Sequence, residues 1–196
     1  MNKLEFSLAA LLEGRNSASL KKMQGPAPTS VQLQNMIEAA GTAPDHGKLR
    51  PFRFMEVSDK GREKLAQLFA KCHRELEPNA DEAAIERARS KAFKGPMLLM
   101  MIVTLDESKE CAIPTQEQWV SAGAGLQNLL LMAEAQGLAS RVTSGRSVQL
   151  KSFHDGLGLQ ENEQFLCFIS LGTVEEPRLT TGRPLMSDLH SIWGES

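Results

Sequence analysis

One domain that mixes helices with a β-sheet is the fold the sequence predicts, and two observations predict it. Residues 97–105 and 165–171 are nearly continuous apolar runs of strand length, the pattern of strands covered on both faces. Around them lie segments whose apolar residues recur at helical spacing. The longest, residues 115–136, is apolar almost all round and reads as a central buried helix. The 196 residues suffice for one domain with its own core, and no repeat, low-complexity tract or linker divides them. Residues 1–196 are therefore read as a single domain, with the strand order left open by spacing alone.

The first helix is expected from Asn2, with Glu5 at capping-box spacing, Leu4, Leu8, Leu11 and Leu12 on one face, and Gly14 at its end. A second opens after Pro28, where Thr29 and Gln32 repeat the capping-box spacing. Leu33, Met36, Ile37 and Ala40 form its stripe and Gly41 closes it. A polar loop leads to a strand over 52–57. Residues 59–76 read as an amphipathic helix with Leu65, Leu68, Phe69, Cys72 and Leu76 on one side, broken by Pro78 and Asn79. A charged helix over 81–92 presents a solvated face. The connection up to Pro114 reads as a mobile loop. After the central helix come a short strand from about 138 to 144 and a short helix over 148–155. The tail beyond Gly172 has too little apolar content for a core of its own and is expected to wrap another surface.

Composition narrows the function classes. Twenty-two Lys and Arg against 24 Asp and Glu give a net charge of −2, so no nucleic acid and no anionic membrane is expected as partner. Tyrosine is absent and aromatics are few, which argues against a base-stacking platform. Cys72, Cys111 and Cys167 are odd in number and have no CxxC spacing. Neither a disulfide framework nor a zinc site is expected, and a cytoplasmic setting is the default. Residues 1–14 fit a capped helix better than a signal peptide. The longest apolar run, 97–103, is too short to span a bilayer.

The sequence lacks GxSxG, HExxH, GxxxxGK[ST] and GxGxxG. His46, His73, His154 and His190 show no metal-ligand spacing. Two segments stand out instead. Arg15-Asn16-Ser17 follows the first helix, where a bidentate cation and a short donor suit a phosphate; an ordinary helix C-terminus also favours Arg. Residues 43–54, APDHGKLRPFRF, form a polar loop with Pro44 and Pro51 leading into a strand. It is either a rigid ligand-facing loop or a solvated connection. The central helix carries the small residues Ser121-Ala122-Gly123-Ala124-Gly125, then Gln127-Asn128-Leu129-Leu130-Leu131. Such a run lets another backbone approach closely, whether from a second copy or from the same chain.

Taken in order from Arg15 to Leu185, these segments resemble the nitroreductase family of FMN-dependent oxidoreductases. The small-residue run with QNLLL and then Ala135-Gln136-Gly137-Leu138 is similar to that family's central helix. Arg15-Asn16-Ser17 resembles its N-terminal phosphate motif. Residues 44–54 resemble its loop ending in Gln-Pro-Trp, with Arg50 and Phe52 in place of the Gln and Trp. Gly172-Thr173, Pro177 and Arg183-Pro184-Leu185 resemble its C-terminal signature. The APDH segment and the short length match a subgroup of small members.

The resemblance implies an α+β fold with a central, mostly antiparallel sheet flanked by helices. It implies an intertwined homodimer with FMN at the interface. By position, Arg15, Ser17 and Arg183 would hold the phosphate, with Asn16 near the pyrimidine edge. His46 and Lys48 would reach the cofactor from the other chain, and Thr143, Ser144 and Gly145 would run along the ring edge. Thr42 stands among these residues where the subgroup has an Arg, and Thr181 where a Lys often joins the phosphate cluster.

The implied activity is transfer of reducing equivalents from NAD(P)H as co-substrate to a small-molecule acceptor, such as a nitro compound or quinone, in ping-pong fashion. The flavin would carry the chemistry, so no side chain is assigned as general acid or base. Three rival readings remain at this level: a flavin-binding sensor or carrier without turnover, a related flavin enzyme with different chemistry, and a cofactor-free interaction protein.

Overall fold

The computed structural model describes residues 3–176 and 182–194. Its helices and strands follow in the order α1 (Lys3–Gly14), α2 (Ser30–Ala40), β1 (Phe52–Glu56), α3 (Asp59–Leu76), α4 (Glu82–Arg89), β2 (Met97–Thr104), α5 (Thr115–Ala135), β3 (Ala139–Thr143), α6 (Lys151–Leu157), β4 (Glu163–Gly172) and α7 (Met186–Leu189). Local chemistry explains the helix starts. Thr29 Oγ1 accepts the Gln32 N–H at 3.2 Å, and Gln32 Oε1 accepts the Thr29 N–H at 2.9 Å, so the expected capping box forms. Ser58 and Asp81 cap α3 and α4 in the simpler way. The cap expected at Asn2 lies outside the described residues.

Two expected helices are shorter or divided. The helix read over 81–92 ends as α4 at Arg89 and tightens into a 3-10 turn over Ser90–Phe93. Ser90 Oγ donates there to the Arg87 carbonyl at 2.9 Å, competing with the helix ladder. The helix read over 148–155 is two pieces, a 3-10 turn at Arg146–Gln149 and then α6. Leu150, with extended backbone (φ −79, ψ 140), separates them.

The four strands form one sheet in the order β1-β2-β4-β3, and every neighbouring pair is antiparallel. β2 and β4 are the central strands, which is why their sequences are continuous apolar runs. Their register jumps from Met101↔Cys167 to Ile102↔Phe165, so Leu166 is the extra residue of a bulge. The bulge resets the alternation of β4 and turns both Phe165 and Phe168 to the same side. There they meet Phe69 of α3 and Phe153 of α6 in a cluster of edge and stacked contacts. That face is covered by α3 and α6 over Leu98, Met100 and Ile102. The opposite face is covered by α2 and α5, with Met36 and Leu129 packed on Leu99, Met101, Val103, Ile169 and Leu171.

The loop after β2 is pinned. Buried Gln118 of α5 accepts the Asp106 N–H at 2.8 Å and donates to the carbonyls of Asp106 and Ile113 at 2.9 and 3.1 Å. By contrast, the apolar stripe expected on α1 is largely uncovered within the chain, with only Leu11 partly buried. Leu4, Phe6, Leu8 and Leu12 are exposed, and so are Leu185, Met186, Leu189, Ile192 and Trp193 of the tail. No helix among the described residues is long and apolar enough to cross a membrane.

Candidate functional site

The site is built along β3, an edge of the sheet. After α1 the chain runs beside this edge. Ser17 bridges Ser140 in parallel, and the Ala18 N–H donates to the Ser140 carbonyl at 2.9 Å. The chain then crosses the end of the sheet and pairs Gln24 with Thr173 through reciprocal backbone bonds of 2.9 and 2.8 Å. The Arg15–Ser17 segment therefore lies at the start of β3, and Thr143-Ser144-Gly145 lies at its end. At strand rise the two are separated by about 10–13 Å along the edge.

Thr143, Ser144 and Gly145 line a cavity of about 290 Å³ on the α3 side of the sheet. Its apolar lining comes from Leu20, Phe69, Leu98, Val148 and Phe168, and its cations are Lys91, Lys94 and Arg146. Arg146 is paired with Glu77 at 2.6 Å. Among the described residues Lys91 and Lys94 have no carboxylate partner. The N–H groups of Ser144 and Gly145 have no backbone acceptor among the described residues. A Cβ built on Gly145 would meet no atom within 4 Å. A planar ring with an electron-rich, hydrogen-bonding edge suits this combination: an apolar wall for its face, and free donors and cations for its edge.

Arg183 returns to the same end of the molecule. Its Nη2 donates to the carbonyls of Leu12, Glu13 and Arg15 at 2.8, 3.3 and 3.1 Å, capping the C-terminus of α1 as a cation favours. It is thus beside Arg15-Asn16-Ser17, with one guanidinium nitrogen already engaged. Asn16 Nδ2 donates back to the Gly14 carbonyl at 3.0 Å. Thr181 and Pro177 lie outside the described residues.

The remaining expected residues sit on the other layer, beside α5. Thr42 Oγ1 donates to the Ala39 carbonyl at 2.7 Å and accepts from Asn128 Nδ2 at 3.2 Å. His46 Nδ1 is 2.8 Å from Glu117 Oε2. Lys48 follows Gly47 with φ +55. Gly47 itself has φ +72, and a Cβ there would stand 2.3 Å from Ile113 Cδ1, so this turn requires glycine. Within one chain these residues make no hydrogen bond or ion pair to Arg15–Ser17 or Thr143–Gly145 among the described residues.

The sequence reading places Lys91 on a solvated helix face and gives Lys94, beyond that helix, no role, so both lysines of the cavity were missed. The signal available was position: both precede Gly95-Pro96 and the start of a buried strand, the same context that singled out the 43–54 loop.

With this geometry in view, comparison with known proteins is decisive for the family. The Nitroreductase family profile matches residues 16–173. The chain belongs to the nitroreductase family. Among relatives, YdjA of Escherichia coli (strain K12), named as a candidate NAD(P)H nitroreductase, is 31% identical over 163 residues, covering 83% of this chain and 86% of YdjA. The nitroreductase-like family protein of Bacillus cereus has the same fold at a TM-score of 0.81, with 21% identity over 95% of this chain and 96% of the other. The FMN-dependent nitroreductase NfnB of Mycobacterium smegmatis, solved in complex with NADPH, superposes at a TM-score of 0.72, with 18% identity over 97% of this chain and 99% of NfnB. The nitroreductase fold expected from the sequence, an antiparallel sheet flanked by helices, is the fold observed. The matched range takes in Ser17 and Thr143–Gly145; Arg15 lies just before it and Arg183 after it.

Proposed function

We propose that this nitroreductase-family chain is an FMN-dependent oxidoreductase that passes reducing equivalents from NAD(P)H to a small acceptor such as a nitro compound or quinone. The observation that carries the reading is the cavity at the end of β3, where an apolar wall meets lysines without a carboxylate partner and N–H groups without a backbone acceptor among the described residues. Its volume is near the lower end of ligand pockets, about 300–1,000 Å³, which suits the ring. The phosphate end is assigned to the β3 edge, toward Arg15 and Ser17.

Bound FMN supplies the two-electron chemistry. The chain's own residues bind and orient it. Lys91 and Lys94 offer positive charge to the ring edge where reduction leaves negative charge, and the Ser144 and Gly145 N–H groups offer donors that need no reorganisation. Arg15 and Ser17 hold the phosphate by charge-assisted bonds. Arg183 orders that segment through its carbonyls and completes the cluster, and Asn16 is assigned to the pyrimidine edge of the ring.

Thr42, His46 and Lys48 belong to the same site through a second copy of the chain. Support comes from their place on the α5 layer, away from the cavity, and from the exposed apolar residues of α1 and the tail, which a homodimer would cover. Residues 1–196 act as one FMN-binding domain. The three free cysteines agree with a reducing, cytoplasmic setting.

The test is direct. Purified full-length protein is expected to show flavin absorbance, to release FMN on acid treatment, and to bleach anaerobically with NADH or NADPH, then reoxidise with nitroaromatics or quinones. A colourless protein that does not take up FMN, or one whose flavin neither nucleotide reduces, overturns the reading.

A further inference from the structure

Arg62 of α3 is a charged side chain that none of the proposed ligand contacts uses, and it is buried, with 7% of its surface exposed. Among the described residues no carboxylate pairs with it. Its guanidinium instead donates to three carbonyls, Nη1 to Ala92 at 2.9 Å and Nη2 to Gly95 and Pro96 at 3.1 and 3.2 Å. All three carbonyls belong to the strap 90–96 that leads into β2, and Lys91 and Lys94 on that strap line the cavity. From the other side, Ser170 Oγ donates to the Lys94 carbonyl at 3.4 Å. Gly95, at φ +77, lies so close that a Cβ would stand 3.0 Å from Ser170 Cβ and 3.1 Å from Met23 Sδ.

We infer that Arg62 is a positioning residue of the flavin site, which by gripping the carbonyls of Ala92, Gly95 and Pro96 fixes Lys91 and Lys94 at the cavity without touching the ligand. This rests on the reading that the cavity takes the flavin ring. A lysine ammonium sits on a flexible four-carbon stem and is strongly hydrated, so its value as an electrostatic partner depends on where the backbone holds its Cα. The strap has no sheet ladder of its own to set that position. A planar, rigid fork reaches carbonyls spread over several residues in one fixed geometry, whereas an ammonium holds its three donors on a single atom of a flexible stem and an apolar side chain offers none. Burial opposes the charge and lowers the Arg62 pKa from its ordinary value, a cost that an apolar residue of similar volume would avoid.

The experiment compares full-length wild type with Arg62→Met and Arg62→Lys, each also in a Lys91→Ala, Lys94→Ala background. It records the FMN dissociation constant, the flavin midpoint potential and the melting temperature of the flavin-free form. The expected result is that Arg62→Met weakens FMN binding about tenfold, the size of one lost charge-assisted contact, and lowers the midpoint potential. Arg62→Lys should recover part of both. Without the two lysines, Arg62→Met should change neither. A purely structural role would lower the melting temperature alone, or would act equally with and without the lysines, and either outcome overturns the inference.

Should Arg62→Met not fold, Gly95→Ala moves the same strap from its other side. It is expected to give the same lysine-dependent loss, and unchanged affinity and potential there overturn the inference too. A wild-type protein that takes up no FMN removes the reading of the cavity and this inference with it. A wild type that binds FMN beside variants that match it removes this inference alone.

Discussion

Burial pushes the Cys167 thiol up to about 12 and also raises that of Cys72. Both side chains are enclosed by the cores on the two faces of the sheet, whereas Cys111 is half-exposed in the loop after β2. Since the thiolate is the reactive form, alkylation of the native protein at pH 8 is expected to modify Cys111 first. Cys72 and Cys167 should react only on unfolding. Mass mapping after a short iodoacetamide pulse checks this, and early labelling of Cys167 would contradict the placement of β4.

A second residue-scale effect is the Arg53–Glu163 pair. Arg53 Nε donates to Glu163 Oε1 at 2.7 Å, and the Gln160 N–H donates to Oε2 at 3.0 Å. The Arg53 hydrogen bond, more than any other cause, holds the Glu163 carboxyl below its usual 4.5. A depressed carboxylate pKa gives stability that is fully present above the unfolded value and is lost as pH falls through the folded one. Glu163→Gln should therefore flatten the decline of stability below about pH 4.5. Arg53→Met should cost about 1–3 kcal/mol at neutral pH. Urea titrations across pH 3–7 would read both, and an unchanged acid limb in Glu163→Gln would discount the pair. At this scale the sequence told least. Arg62 is a polar position on an amphipathic helix and Gln118 one on the largely apolar α5, and nothing in their spacing distinguishes a buried clamp on backbone groups from a solvated side chain.

At the scale of elements, periodicity was more informative, because a helix stripe or a buried strand is a property of many residues at once. The capping box at Thr29, the long α5 and the two central strands all follow from it. The boundaries that moved did so for local reasons invisible to a pattern, such as the Ser90 hydroxyl competing for a helical carbonyl and the extended Leu150 dividing the helix before β4.

The small-residue run of α5 has two different surroundings. Gly125 faces β1, where an added Cβ would lie 2.4 Å from Phe52 Cζ, so here the close neighbour comes from the same chain. Gly123 has nothing within 4 Å, and Val120 beside it is exposed. Gly125→Ala is accordingly expected to destabilise the fold by about 1–3 kcal/mol through overpacking. Phe52→Leu in the same chain should return part of that loss, because it removes the ring the new methyl strikes. Gly123→Ala should leave the stability of the isolated fold nearly unchanged. Denaturation midpoints of the three variants test the assignment, and equal losses at both glycines would mean that α5 is packed on both sides.

At the scale of the molecule, two features are unexplained by one chain. The apolar residues Leu4, Phe6, Leu8 and Leu12 of α1 and the tail residues Leu185, Met186, Leu189, Ile192 and Trp193 stand in solvent. The expected ligand-facing residues are divided between the β3 edge and the α5 layer. The tail carries its own register to α1 through Arg183, yet its apolar side chains find no cover there. The proposed homodimer would account for both: a second copy related by a two-fold axis would cover the same patch on each chain and could bring the α5 layer of one to the β3 edge of the other. Dimerisation and flavin binding are then linked, because whatever binds only the paired form stabilises it by mass action. The expected outcome is that the protein sediments as a homodimer at micromolar concentration, and that dilution releases flavin in parallel with the appearance of monomer. Leu8→Asp and Leu189→Asp, which place a charge in each exposed apolar patch, should shift both curves together toward higher protein concentration by at least tenfold, about 1.4 kcal/mol. Sedimentation recorded at the flavin absorbance and at 280 nm reads the two processes in one run. A folded monomer that keeps its flavin at low micromolar concentration would separate them, and would assign Thr42, His46 and Lys48 to something other than the cofactor.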